Sequence, residues 1–211
     1  MHARCFTVGP LQENCWIVHA DESSKAVVID PGEEADRLIA AIDELGLTVE
    51  AILLTHTHFD HVGAVAPLAR ATGAPVYCPE LEVPVLKEIN AYVFPGFGPF
   101  ESYDPEQTIA GGERLTLAGL DIDVIFTPGH SPGHVSFSIP EHDALLSGDV
   151  LFQGSVGRTD LPGGHHQTLL DSIAMLLNTL PDETRVCPGH MGATTLGRER
   201  ASNPFLHELA R

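Results

Sequence analysis

"LLTHTHFDHVG", residues 53–63, sets His56, His58, Asp60 and His61 within six residues, directly after an apolar run. That run, "VEAILLTH", reads as a buried strand. The donors therefore fall where a strand leaves its sheet, the edge at which residues distant in sequence meet in one crevice. A polar surface loop would need no such spacing. Close ligands on one loop lower the ordering entropy of binding an ion, so HxHxDH reads as part of a metal site, provided other donors meet it.

Three further clusters also follow apolar runs: "TPGHSPGH" at 127–134, "SGD" at 147–149 and "PGH" at 188–190. Any one alone carries little weight. Together they supply two sets: His56, His58 and His130 in one, Asp60, His61 and His190 in the other, with Asp149 bridging. Imidazole and carboxylate donors suit zinc, iron or manganese. Seven donors exceed the need of one tetrahedral ion and suit two ions about 3.5–4 Å apart. His134 is expected to support a ligand or to pack. His2, His19, His142 and His207 are expected in solvent, His165 and His166 at the surface, and Cys187 in the interior.

Outward from these clusters the chain reads as an α/β protein. "CFTV" and "CWIVHA" are expected strands joined by "GPLQEN", and "AVVIDPG" another. Residues 34–46 place Leu38, Ile42 and Leu45 on one helical face, with Gly46 as the stop. A helix over 63–73, a strand at "APVYC", a surface loop over 92–107 and a hairpin in "LTLAGLDIDVIFTPGH" follow. "HVSFSIP" and "ALLSGD" read as strands, "HQTLLDSIAMLLNTL" as a helix, "TRVCPGH" as a last strand and "TLGRERASNPFLHEL" as a terminal helical segment. No linker divides the 211 residues, so residues 1–211 are expected to form a single domain.

The charge is 11 − 29 = −18, which argues against a nucleic acid or an anionic membrane as partner. No apolar run approaches a membrane span, and the N-terminus lacks the basic start and apolar stretch of a signal peptide. Four scattered cysteines without a CxxC pair point to a reduced, cytoplasmic chain.

From "GPLQENCWIV" through HxHxDH, "TPGHSPGH", "SGD" and "PGH", the sequence resembles the metallo-β-lactamase superfamily. The resemblance implies a four-layer αβ/βα sandwich of two mixed sheets flanked by helices, and it assigns the same ligand roles to the same residues. Asp149 stands where the best-known zinc β-lactamases carry cysteine, and "SGDVLFQGSVGRTDLPGG" is similar to compact bacterial glyoxalase II-like (hydroxyacylglutathione) hydrolases. Arg158 matches a basic contact to the thiol carrier's carboxylate; its alternative is a loop arginine paired with Asp160. Two features differ from the larger enzymes: the longer helical C-terminal domain is absent, and Met191 follows His190 without a nearby tyrosine.

The expected chemistry is hydrolysis of a small-molecule thioester such as S-lactoylglutathione, with two divalent ions, zinc first and iron or manganese next. Two dications with Asp60 and Asp149 leave a net +2, enough to generate a bridging hydroxide that attacks the carbonyl. Asp60 and Asp149 are the expected catalytic carboxylates. The likeness also admits a mononuclear iron persulfide dioxygenase, using His56, His130 and Asp149, and a lactone hydrolase.

Overall fold

The computed structural model describes residues 1–206. Its first six strands are β1 (His2–Val8), β2 (Glu13–His19), β3 (Lys25–Ile29), β4 (Thr48–Leu53), β5 (Val76–Pro79) and β6 (Gln107–Ile109), and they form one sheet in that order. The β1–β2 and β2–β3 pairs are antiparallel, the remaining three parallel. Strands β7 (Arg114–Leu117), β8 (Leu120–Phe126), β9 (Val135–Ile139) and β10 (Ala144–Gly148) begin the second sheet. After a small hairpin of β11 (Leu151–Phe152) and β12 (Ser155–Val156), β13 (Arg185–Pro188) and β14 (Thr194–Thr195) complete it in the order β14-β13-β10-β9-β8-β7. Only β10–β13 is parallel there.

Side-chain alternation explains the layering, because successive residues of a strand face opposite sides. In β2, Cys15 and Ile17 join an outer core while Trp16 and Val18 join the inner one; in β3, Ala26 and Val28 divide from Val27 and Ile29 in the same way. The outer core of the first sheet is closed by α1 (Ala35–Glu44) and α3 (Val65–Thr72), through Leu38, Ile42, Val65 and Leu68. The inner core joins the sheets, setting Val27, Ile29 and Leu53 against Ile122, Phe137 and Leu146. A third core packs Leu145 and Val186 on α5 (His166–Thr179) and α6 (Leu196–Ser202). The result is helix, sheet, sheet, helix. Strands buried on both faces are why residues 26–29 of β3 and 51–53 of β4 read as apolar runs.

Several sequence expectations need correction. Residues 92–106 form the expected surface loop, pinned by Phe97 and Phe100, whose rings meet Phe59 at 5.1 and 6.0 Å, but Gln107 already begins β6. A short helix, α4 (Val83–Lys87), was not legible. The terminal helical segment is broken after Ser202, where Asn203 is extended (ψ 118°), as the clash with the following Pro204 requires. A single turn over Pro204–Leu206 follows; His207 lies outside the described residues. Among the described residues, no helix is long and apolar enough to cross a membrane.

Candidate metal centre

The polar clusters converge because they occupy corresponding strand ends, the edge where α/β sheets collect ligands. Beyond β4 come His56 and His58, and then α2 (Phe59–Val62), whose single turn carries Asp60 and His61. Beyond β8 comes His130, beyond β10 Asp149 and beyond β13 His190. The first sheet thus supplies four of these residues and the second three.

His56 Nε2 lies 3.1 Å from His58 Nδ1 and 3.2 Å from His130 Nε2. Asp60, His61 and His190 form a second set, with His190 Nε2 3.3 Å from Asp60 Oδ2; in each set the donor atoms lie within 4.8 Å of one another. The Asp149 carboxylate sits between the sets. Its Oδ1 is 3.5 Å from His61 Nε2, and its Oδ2 is 3.5 Å from His130 Nε2 and 3.6 Å from His190 Nε2.

Hydrogen bonds on the far sides of the rings fix which nitrogens face inward. The Arg158 carbonyl can only accept, so His130 Nδ1–H donates to it (2.8 Å) and Nε2 is the nitrogen turned toward the site. Thr55 Oγ1 donates its one proton to Asp30 (2.6 Å), so it accepts from His56 Nδ1 at 3.0 Å. Asp30 also holds His61 Nδ1 at 3.1 Å. The inward nitrogens of His56, His58 and His130 thereby lie close enough together to share one cation. His61 Nε2 and Asp149 Oδ1 are, in addition, buried without a hydrogen-bond partner among the described residues. These donors fit metal ions.

The local field agrees. Burial and neighbouring histidines push His56 well below the usual imidazole range, and His58 down to about 4, so these two rings favour the neutral, lone-pair-bearing form. Burial would also lower His61, but Asp149 and Asp30 outweigh it and raise it well above its ordinary value. Burial opposes ionisation of Asp149, yet His61 and His130 hold its carboxyl far below the carboxylate range. The carboxylates around the second set therefore favour positive charge at this position.

Residues 8–190 match the family model for the metallo-beta-lactamase superfamily. The chain belongs to this superfamily. It is therefore a metallo-hydrolase of a family that binds divalent metals. The chain is 39% identical over 210 residues to the hydroxyacylglutathione hydrolase GloC of Haemophilus influenzae, covering 98% of this chain and 99% of the relative. Among solved structures it is similar to the BLEG-1 B3 metallo-beta-lactamase, with TM-score 0.92, 39% identity and coverage of 98% and 100%. It is likewise similar to TTHA1623 in a di-iron-bound form, with TM-score 0.82, 45% identity and coverage of 96% and 100%.

The superfamily site here is framed by residues with weak sequence signals. Asp30 ends an apolar strand, as Asp149 does, and that parallel was its available clue. Asn14 accounts for the "GPLQENC" motif: its backbone N–H donates to the Gly189 carbonyl at 2.7 Å and its Nδ2 to that of Met191 at 2.8 Å, anchoring the turn that bears His190. His134, fully buried, accepts the Asp149 backbone N–H at 3.1 Å, the supporting role expected of it. Glu13 and Glu82, both buried, had no sequence signal. Arg158 is exposed, and its guanidinium makes a two-pronged pair with Asp160 at 2.7 and 2.8 Å. His2, His142, His165 and His166 are exposed and Cys187 is buried, as expected; His19, expected in solvent, is half-buried, with Nδ1 2.8 Å from the Ala20 carbonyl. Gly189 has no room for a side chain: a Cβ there would lie 2.4 Å from Asp149 Oδ1 and 2.7 Å from His61 Cε1.

Proposed function

We propose that the protein is a binuclear metal-dependent thioester hydrolase. In this reading His56, His58 and His130 hold one ion, Asp60, His61 and His190 the other, and Asp149 reaches both. The observation that carries it is the Asp149 carboxylate lying 3.5–3.6 Å from donors of both sets. Two such ions, when bound, would supply a nucleophile from water at neutral pH and would polarise the carbonyl under attack.

The chain's own residues do the rest. Asp60 and Asp149 offset part of the ionic charge and orient the two sets. His134 fixes the Asp149 backbone, and Asp30 fixes His61. A thiolate leaves readily, so no strong general acid is required of the protein. The name of the Haemophilus relative supports a glutathione thioester such as S-lactoylglutathione as substrate. Arg158 is the proposed contact to the thiol carrier. Its carbonyl already bonds His130, so its backbone borders the centre, and its side chain would exchange the exposed Asp160 for a substrate carboxylate.

A second reading has one observation in its favour. His56, His130 and Asp149 form a two-histidine, one-carboxylate face, the donor set of non-haem iron oxygenases. Metal analysis of the purified protein, followed by parallel thioester, persulfide and lactone assays with oxygen uptake recorded, separates the readings. Two ions per chain and thioester turnover without oxygen uptake support hydrolysis; one iron with persulfide-dependent uptake overturns it. Zinc is the first metal proposed, and the di-iron form of TTHA1623 makes iron the next.

A further inference from the structure

We propose that Glu82 is a positioning residue that clamps the loop bearing His56 and His58 to the loop bearing His130, and so sets the spacing of the three-histidine set. The inference rests on the metal-binding reading above and assigns a task to a residue outside it.

Glu82 lies between β5 and α4, on neither ligand loop, and is 4% exposed. Its Oε2 accepts from Thr57 Oγ1 at 2.7 Å; its Oε1 accepts from Ser131 Oγ at 2.7 Å and from the Gly133 backbone N–H at 2.8 Å. Thr57 stands between His56 and His58, and Ser131 directly follows His130. Each arm of the carboxylate thus ends one residue from a ligand. Thr57 is fully buried and Ser131 is 3% exposed, so these bonds operate away from water. A backbone bond from Val135 N–H to the Thr55 carbonyl joins the roots of the two loops, and Glu82 joins them nearer the histidines. The fit is close: a Cβ on Gly133 would lie 2.7 Å from Glu82 Cγ.

The second set depends on other supports. Asp30 holds His61 and Asn14 holds the turn of His190, while Asp149, which faces both sets, is held by His134. None of these contacts involves Glu82. A carboxylate needed only for general stability would affect both sets alike, whereas the clamp acts on one.

The test is a Co²⁺ titration of metal-free protein, with free ion set by a competing chelator. Wild type is compared with Glu82→Ala, Glu82→Gln and His58→Ala, and the thermal midpoint of each metal-free form is recorded. Glu82→Ala should weaken the site that His58→Ala removes by about 10- to 100-fold, while changing the other by less than about threefold. Glu82→Gln should recover most of that affinity, because its amide oxygen can accept from Ser131 and Gly133 while its amide nitrogen donates to Thr57 Oγ1. Equal weakening of both sites, or none at either, overturns the clamp. Should Glu82→Ala fail to fold, Thr57→Val removes one arm at similar volume and is read by the same comparison. A wild-type protein with no site sensitive to His58→Ala overturns the metal-binding reading and this inference with it, whereas an intact His58-dependent site indifferent to Glu82 overturns this inference alone.

Discussion

Gly189→Ala tests how tightly the centre is built. Ordinary van der Waals contact begins near 3.4 Å, and the new methyl carbon would meet Asp149 Oδ1 at 2.4 Å and His61 Cε1 at 2.7 Å. The oxygen must therefore retreat by about 1 Å and the ring by about 0.7 Å. Neither has much freedom. The Asp149 backbone is tied to His134, and His61 is fully buried with Nδ1 on Asp30. The Gly189 backbone lies outside the left-handed region, so alanine adds bulk without conformational strain. Overpacking of this kind costs about 1–3 kcal/mol, which for a chain of this length lowers the thermal midpoint by about 2–12 °C. Displacing Asp149 by 1 Å should cut turnover on the order of 100-fold. The assay is steady-state thioester hydrolysis beside metal content and thermal midpoint on the same preparation. Two ions per chain, turnover within about threefold of wild type and an unchanged midpoint would refute the steric reasoning.

Three further predictions concern single side chains. His61→Ala or His190→Ala should reduce metal content from about two ions per chain toward one and remove most activity; a one-ion variant with full turnover would defeat the binuclear reading. Asp149→Ala should weaken retention of both ions and lower kcat far more than His2→Ala, a change at an exposed position, and retained metals with near-normal kcat would exclude the bridging role. Arg158→Ala should raise KM for glutathione thioesters, leave kcat nearly intact and spare uncharged thioesters. The Arg158 hydrogen bonds, with help from Asp160's own backbone, hold the Asp160 carboxyl at about 2, below its ordinary 3.8. Its small stabilising contribution is present above pH 3.8 and fades as pH falls through 2; in Arg158→Ala an NMR titration should find Asp160 back toward 3.8, and an unmoved carboxyl would contradict the pairing.

The donors were legible because ligation demands residue types that chemistry restricts and spacings that strands impose. HxHxDH, the histidine of "TPGHSPGH", "SGD" and "PGH" each follow a β-strand, and the structure brings all of them to one edge. The layer order was less legible. Alternation such as Cys15 and Ile17 against Trp16 and Val18 is invisible when both faces are apolar, so the sandwich came from resemblance and not from periodicity. The supporting residues were the least legible. Glu82 sits in "CPELEVP", where nothing marks it as buried, because its partners Thr57 and Ser131 lie 25 and 49 residues away. A residue recruited across the fold leaves no local trace.

The residues that would hold each proposed ion come from both sides of the seam between the sheets. The first sheet alone offers His56 and His58 to one ion and Asp60 and His61 to the other; His130, Asp149 and His190 come from the second. A chain whose halves have not docked can give either ion only half of its coordination, and binding free energy withheld from that state belongs to the native one. Metal occupancy then works as an inspector of assembly. Under the proposed function, a misdocked sandwich would stay empty and less stable, while a correct one would be locked by the ions proposed for its chemistry.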